Sequence, residues 1–174
     1  MAYQPEASAT PGGGRRLRIE MSNGGEASVH FALYPYGGEL AKPRHFDVAR
    51  KAQDEIALRG DGYDLVLIGP NGFRREFAGS VNDTAQVASA PGPDRKNLGI
   101  TLRNTGDRTL TFTLTALAYG GRTRQVTVPA GQRRTVHWHT RQGWYDVEVR
   151  VAEDASFRRR LMGHIENGKA SVTG

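Results

Sequence analysis

The chain contains no cysteine, so no disulfide staples it and no thiolate serves as nucleophile or metal ligand. Long apolar runs are missing as well. The densest, Leu65 to Gly69, falls far short of the roughly 20 residues that a membrane-spanning helix requires. The opening Met1-Ala2-Tyr3-Gln4-Pro5 lacks the charged-then-apolar build of a signal peptide. The chain therefore reads as soluble and unaddressed, beginning either at a mature terminus or at a cut inside a longer protein. No 3.6-residue apolar period is sustained beyond a weak stretch near residues 48–58, which excludes a helical bundle.

Enzyme signatures are equally scarce. There is no Gly-x-Ser-x-Gly elbow and no His-Glu-x-x-His pair. The segment Gly163-His164-Ile165-Glu166-Asn167-Gly168-Lys169-Ala170 approximates a phosphate-binding loop. Ala170, however, lacks the hydroxyl that would hold magnesium, and only four residues follow it, too few for a helix to turn its N-terminus toward phosphate.

What is present is basic charge and repetition. The net charge is +6, and 20 of the 24 basic residues are arginine. Residues 1–90 hold ten Lys/Arg against eleven Asp/Glu, whereas residues 91–174 hold fourteen against seven, so the excess belongs to the second half. A solvated basic face is the simplest reading of that excess.

Laid on itself at an offset of 81, the chain aligns Glu6-Ala7-Ser8-Ala9 with Val87-Ala88-Ser89-Ala90, Leu17 with Leu98, Asn23 with Asn104 and Gly25 with Gly106. Small insertions then shift the match: Tyr36-Gly37-Gly38 meets Tyr119-Gly120-Gly121, Tyr63-Asp64 meets Tyr145-Asp146, Phe73-Arg74-Arg75 meets Phe157-Arg158-Arg159, and Gly79 meets Gly163. Order kept from end to end identifies an internal duplication.

Each copy alternates like strands. Leu17, Ile19 and Met21 are followed by Asn23-Gly24-Gly25 and then by Val29, Phe31 and Leu33, the pattern of a hairpin around a turn with positive φ. About seven short strands per copy, with turn residues every 8–12 positions, predict an all-β fold of two tandem antiparallel sandwiches of immunoglobulin-like type. The first domain is placed at residues 1–80 and the second at residues 81–174.

Several side chains invite a functional reading. His137 and His139 share one face of a predicted strand, but no third zinc ligand stands nearby and the first copy has no equivalent pair. Trp144-Tyr145 could present aromatic contact surface, although Tyr63 and Tyr145 start equivalent strands and fit sandwich corners. The recurrent Arg74-Arg75 and Arg158-Arg159-Arg160 stand out most. Arg75 lies between Phe73 and Phe77, and Arg159 between Phe157 and Leu161, so each predicts a packed stem with its head on a carboxylate or carbonyl. Arg158 and Arg160 face the other way and, with Lys169, are candidates for contact with anionic lipid headgroups or an interface.

Gly62-Tyr63-Asp64-Leu65 with Asn71-Gly72-Phe73-Arg74-Arg75-Glu76-Phe77-Ala78-Gly79 resembles the end of the C-terminal domain of bacterial phosphocholine-specific phospholipase C. Gly143-Trp144-Tyr145-Asp146 with Phe157-Arg158-Arg159-Arg160-Leu161-Met162-Gly163-His164 resembles the second such domain in the same enzymes. Tyr3-Gln4-Pro5-Glu6 is similar to the family's entry into the first copy, and Leu102-Arg103-Asn104-Thr105-Gly106 to its recurring hairpin.

The resemblance implies an upstream catalytic domain of alkaline-phosphatase-like fold that carries the metal ligands and nucleophile. It further implies a parent enzyme that hydrolyses phosphatidylcholine or sphingomyelin and is exported by the twin-arginine route. On that basis the chain is a secreted or periplasmic C-terminal fragment, with no catalytic residue, metal or cofactor of its own. Its expected partners are the catalytic domain and a phospholipid membrane surface. Nucleic acid is not expected, because basic and aromatic residues do not interleave into a stacking platform. A carbohydrate- or protein-binding module using Trp138 and Trp144 is the alternative.

Overall fold

The computed structural model describes residues 1–168. All its regular elements are strands. The first repeat comprises β1 (Pro5–Pro11), β2 (Arg16–Asn23), β3 (Val29–Pro35), β4 (Arg44–Val48), β5 (Lys51–Ala57), β6 (Gly62–Ile68) and β7 (Arg74–Ser80). The second comprises β8 (Ala85–Pro91), β9 (Asn97–Asn104), β10 (Leu110–Ala118), β11 (Arg124–Val128), β12 (Arg133–His139), β13 (Trp144–Val151) and β14 (Asp154–His164).

Alternation decides which side chains enter the core. On β2 the residues Leu17, Ile19 and Met21 point inward and are fully buried, while Arg16 before them and Glu20 between them are exposed. Each large apolar side chain removed from water in this way contributes about 1.5–3 kcal/mol. Every repeat closes its own apolar cluster, the first around Phe31, Leu65 and Phe77 and the second around Phe112, Val149 and Phe157.

The sheets do not divide as the repeats do. Strands β1-β2-β5 form one three-stranded sheet and β12-β9-β8 another, but the remaining strands join into a single antiparallel sheet ordered β11-β10-β13-β14-β7-β6-β3-β4. Two immunoglobulin-like sandwiches thus share one continuous eight-stranded layer. In each, the fourth strand joins this layer instead of the sheet of strands one, two and five, where the constant-type immunoglobulin arrangement places it.

The join is the pairing of β7 with β14. Glu76 stands opposite Arg160, Phe77 opposite Arg159 and Arg75 opposite Leu161. Because Glu76 and Arg160 are equivalent positions of the duplication, a pseudo-twofold axis passes between them. The same axis brings β1 and β8 alongside each other on the opposite layer.

Two features differ from the pattern in the sequence. The Asn-Gly connection is not a hairpin: β2 and β3 lie in different sheets, as do β9 and β10. Asn23 holds the crossover by accepting from the Gly25 and Gln4 amides at 2.9 and 3.0 Å and donating to the Ala27 carbonyl at 2.6 Å. Asn104 does the same with the Gly106 amide at 3.0 Å and the Arg108 and Val128 carbonyls at 2.6 and 2.9 Å. Gly25 is not among the positive-φ residues. Its requirement is close approach, since a Cβ there would sit 2.7 Å from the Tyr3 Cα.

The second difference is register. Ala7 pairs with Met21 while Val87 pairs with Leu102, so Ala7 corresponds to Val87 and Ala9 to Ser89. The identity match of Glu6-Ala7-Ser8-Ala9 with Val87-Ala88-Ser89-Ala90 is one residue out of step. A slip of one would turn every inward side chain to solvent, so burial overrides identity here.

Residues 1–80 produced alone would expose the whole β7 edge and strip Arg75 of its groups from the second repeat. That fragment is expected to be unfolded or to self-associate, as circular dichroism and size-exclusion chromatography would register. A monomeric fragment with a cooperative melt would contradict this.

Candidate functional site

The seam between the repeats gathers most of the side chains singled out in the sequence. Behind β7 and β14, facing β1 and β8, lie two guanidiniums with essentially no exposure, Arg75 and Arg159. Each belongs to one repeat and bonds the other. Arg75 donates through Nη2 to the Tyr145 hydroxyl at 2.9 Å and to Ser89 Oγ at 3.3 Å, and through Nη1 to the Met162 carbonyl at 2.9 Å. Arg159 donates through Nη2 to the Tyr63 hydroxyl at 2.7 Å and to the Ala9 carbonyl at 3.3 Å, and through Nη1 to the Ala78 carbonyl at 3.0 Å.

The two sets are related by the pseudo-twofold axis, atom type for atom type except at Ser89 and Ala9. Each guanidinium also covers an aromatic face, Arg75 over Phe73 at 4.2 Å and Arg159 over Phe157 at 4.4 Å, which adds cation–π attraction in a dry setting. The Nε atoms of both arginines are buried and, among the described residues, have no hydrogen-bond partner.

Charge compensation breaks the symmetry. Arg75 meets Glu6 Oε2 directly at 3.0 Å. Arg159 is balanced at one remove, because Tyr63 donates onward to Asp83 Oδ2 at 2.5 Å. Burial raises the Glu6 carboxyl despite Arg75 and Ser89, and burial raises Asp83 despite the Tyr63 hydroxyl and the Ser80 amide. Burial likewise pushes the Tyr145 phenol up to about 12, against the Arg75 charge.

Glu6 and Asp83 carry no strand-pattern signal, and sequence reasoning missed both. Gly79 and Gly163, noted only as equivalents, prove to be clearances. A Cβ at either would stand 2.7 Å from the hydroxyl of Tyr63 or Tyr145 respectively.

On the front of the same two strands the outward side chains form an ion-pair strip. Arg158 donates to Glu148 at 2.6 Å and is paired with Glu76. Arg160 donates to Asp146 at 2.7 Å and to Glu76 at 3.2 Å. Arg74 pairs with Glu76 at 2.7 Å and Arg150 with Glu148 at 2.9 Å. Burial would raise Glu76, but hydrogen bonds from Arg158 and Arg74 outweigh it and bring its carboxyl down to about 2. The Asp146 hydrogen bond raises Arg160 in turn. The Arg158 and Arg160 side chains are about one-quarter exposed, at 25% and 26%. Lys169, the third candidate for lipid contact, lies outside the described residues.

The other candidates are dispersed. Trp138 points inward and is buried in the second core, which leaves it no face for a carbohydrate. Trp144 is layered between Tyr119 and His164, with ring centroids 6.0 and 4.6 Å away, and covers Gly72 of the first repeat. His137 and His139 are exposed on β12. Among the described residues no three His, Asp or Glu converge on a metal position, and no helix is long and apolar enough to cross a membrane. An open groove of about 530 Å³ lies beside the seam, lined by Glu6, Ser8, Glu20, Lys51, Gln53 and Ser89.

Buried guanidiniums engaged by the opposite repeat, and a front strip whose charges engage one another, make the seam a lock between two sandwiches and define the chain as a paired β-sandwich module. The chain belongs to the family described as bacterial phospholipase C, C-terminal domain, whose model matches residues 1–80 and 83–164. It is 31% identical over 175 aligned positions to a non-hemolytic phospholipase C of Pseudomonas aeruginosa, covering 92% of this chain and 25% of that protein. A non-hemolytic phospholipase C of Burkholderia pseudomallei is 34% identical, with 91% and 24% covered. A hemolytic phospholipase C of Pseudomonas aeruginosa is also 34% identical, with 90% and 26% covered. The chain thus spans about a quarter of the length of these relatives.

Two consequences are measurable by urea unfolding. Tyr63→Phe removes the acceptor of Arg159 and the donor to Asp83, and is expected to cost on the order of 2–4 kcal/mol. For Glu76, a carboxyl held below its unfolded value stabilises the fold above the unfolded pKa, and that contribution fades as pH falls toward about 2. Glu76→Gln is therefore expected to lose on the order of 1–3 kcal/mol at neutral pH, with the gap to wild type shrinking steadily from about pH 5 to pH 2. A gap independent of pH would contradict the assignment.

Proposed function

We propose that this chain is the non-catalytic C-terminal accessory module of a secreted bacterial phospholipase C that hydrolyses choline phospholipids such as phosphatidylcholine and sphingomyelin. It packs on the catalytic domain of the same polypeptide and helps to seat the enzyme on a membrane surface. The observation that carries the proposal is the family match over both repeats in a chain that spans a quarter of its relatives.

Physical features support it. The chemistry-bearing side chains at the seam are engaged in holding the two repeats together: Ser89, on the wall of the groove beside it, donates to Glu6 Oε2 at 2.7 Å, and the same oxygen accepts from the buried Arg75 at 3.0 Å. The front of the eight-stranded layer offers an extended face. Ile68 at 38% exposure and Leu117 at 45% flank the ion-pair strip with apolar surface, the composition of an interface between domains of one chain.

Produced without this module, the catalytic part of the parent enzyme is expected to bind the chain in trans with a dissociation constant on the order of 1 µM or tighter. Ile68→Glu combined with Leu117→Glu is expected to weaken that binding about ten-fold or more. Both side chains are exposed, so the fold survives the change. No binding in a titration calorimeter, or binding indifferent to the double substitution, would count against docking through this face.

A further inference from the structure

Part of the basic excess of the second half, Arg103 and Arg133 with Arg124 and Arg134, lies away from the seam. On the outward side of β9 and β12, Arg103 and Arg133 stand directly opposite each other, and next to them the Thr101 and Thr135 hydroxyls lie 3.2 Å apart. Among the described residues neither arginine makes an ion pair. Arg124 and Arg134 reach the same edge of the sandwich, donating only to the backbone carbonyls of His137 and Arg133, at 3.4 and 2.9 Å. Those bonds leave their charge uncompensated. No carboxylate stands among the outward positions of β9 and β12.

The equivalent surface of the first repeat is built differently. There Ser22 faces Lys51 and Arg18 faces Glu55. Arg16 and Arg18 both pair with Glu55 at 3.6 Å, Arg15 pairs with Asp61 at 3.2 Å, and Arg44 pairs with Asp54 at 2.6 Å. Duplication supplied two copies of one surface. Of the two, the second carries no acid on its β9 or β12.

Two guanidiniums and two hydroxyls on a flat, helix-free sheet, with two further guanidiniums at its edge, suit a plane of phosphate groups. Arginine forks bind phosphate oxygens in pairs, and the hydroxyls donate to those that remain. Nucleic acid is the poorer match, because the large aromatic residue of this strand, Trp138, is buried on the reverse side, so that of the rings on β12 the imidazoles of His137 and His139 alone are exposed beside the cations, a smaller stacking surface than the interleaved aromatics of a nucleic-acid platform. We infer that the β9–β12 face, with the Arg124 and Arg134 edge, docks on the phosphate headgroups of an anionic lipid membrane. The inference rests on the accessory-module reading and shifts the membrane contact away from the ion-paired Arg158 and Arg160. It also leaves the eight-stranded layer, on the opposite side of the sandwich, free for a catalytic domain.

The test is flotation of the 174-residue chain with vesicles of phosphatidylcholine alone and of phosphatidylcholine containing about one-third phosphatidylglycerol, at roughly 0.1 M and 1 M salt. Wild type is expected to float with the anionic vesicles at low salt and to be released at high salt. Arg103→Gln with Arg133→Gln is expected to lower the partition coefficient roughly 10–30-fold, whereas Arg50→Gln with Arg59→Gln on the first repeat leaves it unchanged. Equal binding to neutral vesicles, an unaffected Arg103/Arg133 variant, or displacement by an oligonucleotide at matched phosphate concentration would each overturn the inference. Binding to the catalytic part is read in a separate titration, so failure of membrane docking and failure of the accessory role are distinguishable.

Discussion

A guanidinium taken out of water between two β-layers costs several kcal/mol unless its hydrogen bonds are replaced and its charge is answered. Arg75 and Arg159 have their hydrogen bonds replaced only because each borrows partners from the opposite repeat: a tyrosine hydroxyl, a strand carbonyl and an atom of the first strand. Even Arg75, whose charge Glu6 of its own repeat answers, takes its other side-chain and cross-strand partners from the second repeat. The rest of the architecture follows from that exchange. It requires β7 beside β14, which fuses two four-stranded sheets into one of eight, and β1 beside β8, which closes the back.

The pseudo-twofold axis explains where the two copies could diverge usefully. A residue on the axis meets its own counterpart, so in a symmetric pair a charge there would face its like. Here one copy carries Glu76 and the other Arg160, converting a repulsive position into the centre of the front ion-pair strip. The same logic applies off the axis. Glu6 answers Arg75 directly while Asp83 answers Arg159 through Tyr63, and acids remain on the first repeat's back surface but are absent from β9 and β12. A tandem chain can hold such asymmetries, whereas a dimer of identical chains cannot.

The recurrence of Tyr63 and Tyr145, and of Phe73-Arg74-Arg75 and Phe157-Arg158-Arg159, was enough to single these residues out, because a motif kept twice in one chain is visible without any structure. Their partners were not visible. Glu6 lies 69 residues before Arg75 and Tyr145 lies 70 after it, and no local pattern links positions so far apart. The Asn-Gly segments misled for a related reason: a polar turn between two alternating runs is the same string whether the runs pair or part into different sheets. The slipped match at Glu6-Ala7-Ser8-Ala9 came from weighing identity where only the inward or outward direction of each side chain counts.

Strand content, the duplication and the two apolar cores are properties of alternation and turn residues over short stretches, and the amino-acid sequence determined them by itself. Which strands lie side by side, and which charges cancel, was decided only in the tertiary structure. Ionic and edge-to-edge contacts act between groups brought together from distant parts of the chain, and their strength depends on distance and burial that no linear order contains. Arg158 and Arg103 are alike on paper. One is paired with carboxylates at the seam, and the other stands unpaired on an acid-free face.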